Sequence, residues 1–250
     1  MSITPPEHDA LVVRGIYAGF GAHDVLTGVD LAVPAGEVHG LVGRNGAGKT
    51  TLLATIAGFV EARAGTIAVH GREAQLRDLA YLPVDEYFYG HITGREYLGI
   101  FREPTQASRD ESRWDAWAEK WATAFELPLD QLIDGYSTGM RRKLAIVGAL
   151  RLQRSVLLLD EPANGLDLEA NQLLILVLRE LAAQGAAILV TSHVLEALEA
   201  ACDRIHLLDG GRIAGSYTLA ELPALRTILL GDAGRRLAEV RPLLQRAARA

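Results

Sequence analysis

The chain has 250 residues, 49% of them hydrophobic, which is enough for one large domain or for a domain with an inserted lobe. A formal net charge of −6 argues against a general nucleic-acid-binding protein, which would normally carry a basic surface. The single cysteine excludes a disulfide framework and favours the cytosol. No apolar run is long enough for a membrane span, and residues 1–9 lack the apolar core of a signal peptide.

The first third of the chain is predicted to form short strands. Apolar and β-branched runs that are bounded by glycine, proline or aspartate are typical of strands and turns. The predicted strands are residues 11–13, 29–33, 37–42, 65–71 and 80–83, the last of them ended by Pro83. A turn at residues 34–36 leads into the third strand, and the helix that follows it is expected to end near Gly58.

A glycine-rich turn separates the strand that ends at Val42 from this helix. It consists of Gly43, Arg44, Asn45, Gly46, Ala47, Gly48, Lys49, Thr50 and Thr51. The spacing G-x-x-x-x-G-K-S/T between a strand and a helix is typical of a phosphate-binding loop, because glycines let backbone N–H groups converge on an anion at a helix N-terminus. We expect Lys49 to contact the β- and γ-phosphates of a nucleotide and Thr50 to offer its hydroxyl to Mg²⁺.

Residues 85–152 have a helical pattern, which predicts an inserted helical region. Trp114, Trp117 and Trp121 recur at three and four residues, so one helix face carries all three rings. Aromatic stripes at this period usually face a core, so we expect packing against neighbouring helices; a nucleobase platform is the alternative. Residues 141–143 are three consecutive basic residues and are interpreted as a solvated helix face.

The second half of the chain returns to a pattern that is typical of a parallel sheet. Residues 156–159 and 187–190 are apolar runs suited to strands that are covered on both faces. Residues 168–183 repeat leucine at helical spacing between them, which makes a strand–helix–strand unit. Cys202 lies in a helical pattern and is predicted to be buried, and the residues after Leu222 are predicted to be helical.

Two acids follow the strand at residues 156–159. Asp160 and Glu161 would lie at the carboxyl end of that strand, where open α/β sheets bind ligands. Asp160 suits Mg²⁺, and Glu161 could orient or deprotonate an attacking water. Alone, such a pair could simply end a strand at the surface, but the phosphate loop favours a catalytic interpretation.

Three further motifs make the sequence resemble the ATP-binding-cassette (ABC) ATPases. Residues 136–140 resemble the signature motif of that family and precede Asp160 at the typical spacing. Residues 163–167 resemble the D-loop, and residues 191–193 resemble the segment of the switch histidine. The resemblance extends from about residue 11 to residue 215.

The resemblance implies an α/β fold: a P-loop NTPase (RecA-like) core with a parallel sheet, an N-terminal antiparallel β part and an inserted helical subdomain. Residues 1–84 and 153–220 would form the ATP-binding core, and residues 85–152 the helical subdomain with the signature motif. Residues 221–250 would be a helical tail, so that residues 1–250 make up a single ABC ATPase domain.

The resemblance also implies roles for individual residues in an ATP site. Lys49, Glu161 and His193 would be the catalytic residues, with Glu161 as the base and His193 at the γ-phosphate. Phe20, at the position of the aromatic A-loop residue, would stack on adenine, with Tyr17 as the alternative. ATP lies between two head-to-tail cassettes in this family, and the residues that would reach the partner's site are Ser137, Gly139 and Asp167.

The resemblance further implies a cytoplasmic ATPase that is peripheral at the cell membrane and drives a separate transmembrane permease. A second ATPase subunit, giving a homodimer in the simplest case, would be its other partner, and no nucleic acid is expected. Thr138, Met140 and residues 93–98 are similar to the ATPase subunits of bacterial ABC-2-type exporters, which favours export. The alternative is a soluble ABC ATPase that remodels a protein assembly, such as an iron–sulfur scaffold or the ribosome.

The chain departs from the family pattern in two places: in the signature motif, where Thr138 and Met140 replace a glycine and a glutamine, and at Val84. The family usually has a glutamine just after the strand that ends at Pro83, and this chain has Val84 there. In the family this glutamine contacts Mg²⁺ and water. The side chain of valine cannot form a hydrogen bond, so we expect the contact with Mg²⁺ and water to be missing unless Asp85 supplies it.

Overall fold

The computed structural model describes residues 9–85, 87–101, 111–229 and 231. Its strands are β1 (Asp9–Phe20), β2 (His23–Pro34), β3 (Val38–Val42), β4 (Ala62–Val69), β5 (Arg72–Glu73), β6 (Leu79–Leu82), β7 (Val156–Leu159), β8 (Ala187–Thr191), β9 (Arg204–Asp209) and β10 (Arg212–Thr218). Its helices are α1 (Lys49–Ile56), α2 (Gly94–Ile100), α3 (Glu111–Phe125), α4 (Thr138–Arg151), α5 (Leu168–Ala183) and α6 (Leu195–Ala201), and residues 222–229 are also helical.

The strands form two sheets. The smaller sheet is antiparallel with the order β2-β1-β4-β5, and the larger one has the order β10-β9-β3-β8-β7-β6. All neighbours in the larger sheet are parallel except the edge strand β10, which runs antiparallel to β9. These sheets confirm the predicted α/β fold with a parallel sheet and an N-terminal antiparallel part. β1 and β2 are longer than predicted because their pairing continues through several register shifts, and β9 and β10 are not among the predicted strands.

Three central strands of the larger sheet position the site. Every residue of β3, β7 and β8 is buried. Parallel strands that are covered on both faces are near-continuous apolar runs, as β7 and β8 are, whereas β3 has His39 and Gly40 among its apolar residues. Their carboxyl ends, together with that of β6, lie at one edge of the sheet because all four strands run parallel.

Two hydrophobic cores flank the larger sheet, and its side chains alternate between them. Leu41, Leu158 and Leu189 belong to the core that the sheet shares with the smaller sheet and α1. Val42 and Leu157 belong to the core on the opposite face, which includes residues of all the other helices. The larger sheet is therefore the central layer, and its edge stays in a fixed position relative to both flanking layers.

The segment between β6 and β7 is helical only in part, so the prediction for residues 85–152 needs correction. α2, α3 and α4 lie here, but residues 87–93 and 126–137 form loops, turns and one short 3₁₀ turn. α2 starts only at a capping box, in which Thr93 Oγ1 accepts from the Glu96 N–H and the Glu96 carboxylate accepts from the Thr93 N–H. Residues 86 and 102–110 lie outside the described residues.

The three tryptophans of α3 pack as predicted. Trp114 is buried, and Trp117 and Trp121 are half-buried against the core on the helical face of the sheet. The rings of Trp114 and Trp117 stack at a centroid distance of 5.4 Å, and the Arg151 guanidinium lies 5.1 Å from the Trp117 ring. These contacts confirm the core interpretation of the aromatic stripe.

Two buried histidines join β3, β9 and β10. His39 Nδ1 lies 3.0 Å from His206 Nε2, and the outer ring nitrogens lie 2.7 Å from Glu37 Oε2 and Ser216 Oγ. Burial, followed by the charges of His39 and Arg204, lowers the pKa of His206 to about 3, and burial also lowers the pKa of His39. Both rings are therefore neutral near pH 7, and this hydrogen-bonded chain ties β3, the strand before the phosphate loop, to its neighbours.

Two predictions for the C-terminal third hold for the residues described. Cys202 is fully buried, and burial raises the pKa of its thiol to about 12, although it follows α6 directly instead of lying inside the helix. Residues 222–229 are helical, with Leu222 and Leu225 in the core, whereas residues 232–250 lie outside the described residues. No helix in the part of the chain described by the structure is long and apolar enough to span a membrane.

Candidate functional site

The phosphate loop connects β3 to α1 at the carboxyl edge of the larger sheet. Gly48 has a φ of +105°, a backbone conformation that residues with a side chain rarely adopt. A Cβ atom on Gly43 would lie 2.4 Å from the carbonyl oxygen of Leu208, so this position also excludes a side chain. Both glycines are therefore required by the path of the loop. Between β3 and α1, Arg44, Asn45 and Gly46 are exposed and Ala47 is half-buried.

The start of α1 has the properties of an anion site. Its N-cap Gly48 provides no side-chain cap, and its first turn contains no acidic residue, so no carboxylate offsets the positive end of the helix. Lys49 is only 8% exposed, and its Nζ donates to the Gly43 carbonyl at 2.9 Å. Thr50 is exposed, whereas Thr51 is buried. A buried cation and a helix N-terminus on one loop suit a polyphosphate.

Asp160 follows β7 and is completely buried. Its Oδ1 accepts a 2.5 Å hydrogen bond from Thr191 Oγ1 at the end of β8, and its Oδ2 has no hydrogen-bond partner among the described residues. Burial, followed by the negative charge of Asp160, raises the pKa of Tyr81 to about 12. A buried acceptor without a donor is unfavourable unless a ligand satisfies it, so this oxygen fits a bound divalent cation.

Glu161 is held against His193. His193 Nδ1 lies 2.9 Å from Glu161 Oε2, and the His193 amide donates to the same oxygen at 3.3 Å. The Glu161 side chain is 11% exposed, and its backbone has a φ of +49°, which is rare for a residue other than glycine. Its amide donates to Thr191 Oγ1 at 2.8 Å. The strand-end acid and histidine that the motifs indicate therefore form one hydrogen-bonded pair. Thr191, to which the sequence analysis assigns no role, bonds to both Asp160 and Glu161.

Ser137 and Gly139 lie at the start of α4. The exposed Ser137 caps this helix, because its Oγ accepts from the Met140 N–H at 3.2 Å. A Cβ atom on Gly139 would lie 2.7 Å from the carbonyl oxygen of Gly165, so the signature turn packs closely against the segment before α5.

Asp167 caps α5 and forms an ion pair with α4. Its Oδ1 accepts from the Ala170 N–H at 2.8 Å, and its Oδ2 lies 2.8 Å from Lys143 Nζ. The Lys143 hydrogen bond, together with the cap, holds the pKa of Asp167 below its usual range. Asp167 and the signature helix are therefore linked within one chain.

The interpretation of residues 141–143 as a solvated face is wrong for Arg142 and Lys143, which are both buried. The physical reason is the position of α4, which packs against β6 and has every residue from 142 to 149 buried. Residues 144–150 are apolar or glycine, so α4 has apolar residues on every side there. Such a helix is typically buried, and this sequence signal could have corrected the interpretation.

Phe20 is the last residue of β1 and is 61% exposed. Residues 25–26, on the next strand of the same hairpin, pack against Gly48, since a Cβ atom there would lie 2.9 Å from the side chain of Leu26. Phe20 therefore lies on the hairpin that contacts the phosphate loop. The ring of Tyr17 instead packs over Gly28.

The departure at Val84 is an exposed apolar side chain just beyond β6. Asp85 is exposed beside it, so a carboxylate is available at this point of the chain. That Asp85 supplies the missing polar contact stays a prediction.

Comparison with known proteins identifies the family. The ABC transporter family matches residues 26–164, more than half of the chain. The chain is 32% identical over 217 residues to the ABC transporter ATP-binding protein YtrB of Bacillus subtilis (strain 168), across 84% of this chain and 72% of that protein. It is 34% identical over 229 residues to the Nod factor export ATP-binding protein I of Burkholderia orbicola (strain AU 1054), across 85% and 70%. Ribose import ATP-binding proteins also match, and the chain spans 45% of the one from Geobacillus kaustophilus (strain HTA426).

A solved structure agrees with these relatives. The structure described as the ATP-binding subunit of an ABC transporter is 30% identical and has a TM-score of 0.78. The match covers 86% of this chain and 92% of the chain in that structure. Sequence, fold and the phosphate loop beside a strand-end acid pair all lead to one conclusion. The chain belongs to the ABC transporter family, as an ATP-binding and ATP-hydrolysing subunit.

Proposed function

We propose that this chain powers an exporter and that it binds ATP with Mg²⁺ in a site completed by a second ATPase subunit. The observation that carries this proposal is the grouping of the candidate site residues at the carboxyl edge of the larger sheet. The phosphate loop after β3, Asp160 after β7 and His193 after β8 all lie there, on strands in the order β3-β8-β7. Phosphate, cation and water-activating groups are thus available within one site.

The phosphate loop, residues 43–51, holds the phosphates of ATP. Lys49 exchanges its hydrogen bond to the loop carbonyl for phosphate oxygens, which attract its charge far more strongly. Thr50 and Asp160 hold Mg²⁺, which when bound neutralises charge that develops on the phosphates. The buried Oδ2 of Asp160, which has no partner among the described residues, supports this assignment. Phe20 stacks on adenine.

Glu161 acts as the general base for the attacking water. Its hydrogen bond to His193 orients the carboxylate, and His193 in turn contacts the γ-phosphate. Thr191 supports both acids, because its hydroxyl donates to Asp160 and accepts from the Glu161 amide. This arrangement keeps the two carboxyl groups in separate roles.

Ser137 and Gly139 complete the ATP site of the partner subunit in a head-to-tail homodimer. The start of α4 suits this role, since an exposed hydroxyl and a helix N-terminus can both meet a phosphate. Asp167 then links the two sites, because it is bonded to α4 of its own chain through Lys143.

A separate transmembrane permease is the other partner, and the chain works on the cytoplasmic side of the membrane while bound to it. Export is supported by the similarity to the Nod factor export protein, of which the chain spans a larger share than of the ribose import protein. The signature variant with Thr138 and Met140 supports the same direction.

Cell fractionation tests this function against a soluble remodelling ATPase. When the chain is produced together with its genomic neighbours, we expect it in the membrane fraction and in complex with a multi-spanning membrane protein. Mild detergent should preserve the complex, and a wash at high pH should release the chain as a peripheral subunit. Recovery in the soluble fraction with a non-membrane protein assembly would support remodelling instead.

A further inference from the structure

Arg142 is a buried guanidinium on α4 that is bonded to two loops at the edge of the larger sheet. It is 3% exposed and donates to the main-chain carbonyl of Pro83, after β6, at 2.9 Å. It also donates to three consecutive carbonyls after β7, those of Asp160 at 2.5 Å, Glu161 at 2.9 Å and Pro162 at 3.2 Å. The planar fork of arginine, with five N–H donors, is suited to such a set of acceptors, whereas a lysine ammonium is not.

The backbone of Glu161 depends on such support. Its φ of +49° is unfavourable for a residue with a Cβ atom, and such conformations persist only where the surroundings hold them. Thr191 accepts from its amide, His193 pairs with its carboxylate, and Arg142 donates to its carbonyl. Thr191 is the last residue of β8 and His193 lies just after it, whereas Arg142 supports Glu161 from the helical region.

The same helix carries the signature residues. Ser137 caps α4, and Arg142 follows in its second turn, so the stiffness of the helix couples their positions. The preceding residue, Arg141, donates instead to the carbonyls of Ile133 and Asp134, which belong to the turn before α4. Two adjacent arginines therefore bond to different parts of the chain, and only Arg142 reaches Glu161.

We propose that Arg142 is a positioning residue for ATP hydrolysis, which fixes the main chain of Glu161 and thereby the direction of its carboxylate. The proposal rests on the proposed role of Glu161 as the base. Because α4 also carries Ser137, contact of Ser137 with the partner's ATP sets the position of Glu161 in its own chain. A displacement of a reacting group by about 1 Å costs on the order of a hundredfold in rate, so the loss of this anchor lowers kcat.

The test compares Arg142→Lys and Arg142→Gln with the matched controls Arg141→Lys and Arg141→Gln. ATP hydrolysis, ATP affinity and thermal unfolding are measured on the purified proteins. We expect both Arg142 variants to lower kcat by roughly 10- to 100-fold, while KM and ATP affinity change by less than about threefold. Both controls should stay within about twofold of the unmodified protein, because the Arg141 side chain donates to the carbonyls of Ile133 and Asp134 and not to that of Glu161.

A second measurement separates positioning from general loosening of the fold. In a Glu161→Gln background the base is already absent, so adding Arg142→Gln should leave the slow residual hydrolysis unchanged. Unchanged kcat in both single Arg142 variants, or a parallel loss of kcat and ATP binding in both, would overturn the proposal. Near-normal hydrolysis by Glu161→Gln alone would instead refute the role of Glu161, so the two failures are distinguishable.

Discussion

Glutamine in place of Glu161 is expected to stop ATP turnover while ATP stays bound. The amide keeps the shape of the side chain and can still bond to His193, which lies 2.9 Å away, but it cannot take a proton from water. Removing a general base typically lowers the rate by about a hundredfold to ten-thousandfold. Phosphate release should therefore fall to near background, and size-exclusion chromatography should reveal an ATP-containing dimer.

Glu180→Gln is a matched control for this substitution. Glu180 is exposed on α5 and bonds only to Gln184 of the same chain among the contacts described, so its loss should leave hydrolysis unchanged. If Glu161→Gln hydrolyses ATP nearly as fast as the control, another group acts as the base.

Alanine in place of Lys49 is expected to abolish tight ATP binding. Lys49 is buried beside the Gly43 carbonyl, so no neighbouring charge can replace it without rearrangement of the loop. Each hydrogen bond to a charged group contributes about 1.5–3 kcal/mol. Replacing a lysine that contacts two phosphates removes at least one such bond. This corresponds to roughly a 10- to 150-fold loss per bond, which equilibrium binding of a fluorescent ATP analogue can measure.

Lys120→Ala provides the control, because Lys120 is exposed on α3 and its substitution removes the same charge at a different place in the chain. ATP affinity should not change in this variant. Micromolar affinity retained by Lys49→Ala would show that Lys49 does not hold the phosphates.

The sequence predicts those parts of the site that depend on local pattern. β7 is a continuous apolar run and β8 is apolar up to Thr191, because both faces of each strand are covered. The sequence therefore predicts where these strands end, and with their ends the positions of Asp160 and His193. The phosphate loop is equally local, since Gly43 and Gly48 are required by their own backbone path.

Features that depend on contacts between residues far apart in the chain could not be predicted from the local sequence pattern. The left-handed backbone of Glu161 is supported by Thr191, 30 residues later, and by Arg142, 19 residues earlier. Three adjacent basic residues suggest a solvated surface. The apolar residues that follow them indicate a buried helix, but the carbonyl partners of Arg142 are seen only in the packing of α4 against the sheet. Hydrogen bonds between residues so far apart in the chain leave no periodic pattern in the sequence.

β9 and β10 are a different case, because a local signal for them exists. They flank Gly210 and Gly211, two glycines with positive φ that form the tight turn between the strands. A Gly-Gly pair between two apolar runs is a hairpin signal, and it could have predicted this edge of the larger sheet.

In the proposed dimer, two chains build each ATP site, one with Lys49 and the other with Ser137. Lys49→Ala should inactivate both ATP sites of its own homodimer. Ser137→Arg should do the same, because it puts a bulky cation where a hydroxyl should meet the γ-phosphate. In a mixed dimer of the two variants, both substitutions fall in the same ATP site, and the other site has neither. The intact Lys49 of one chain then faces the intact Ser137 of the other.

Mixing the two inactive variants in the presence of the membrane partner is therefore the most direct test. Subunit exchange is verified independently, by energy transfer between labelled chains. We predict that the mixture recovers ATP hydrolysis, or at least nucleotide occluded in one site per dimer, which neither variant shows alone. No recovered hydrolysis and no occluded nucleotide, despite complete exchange, would contradict the shared site and place Lys49 and Ser137 at the ATP of a single chain.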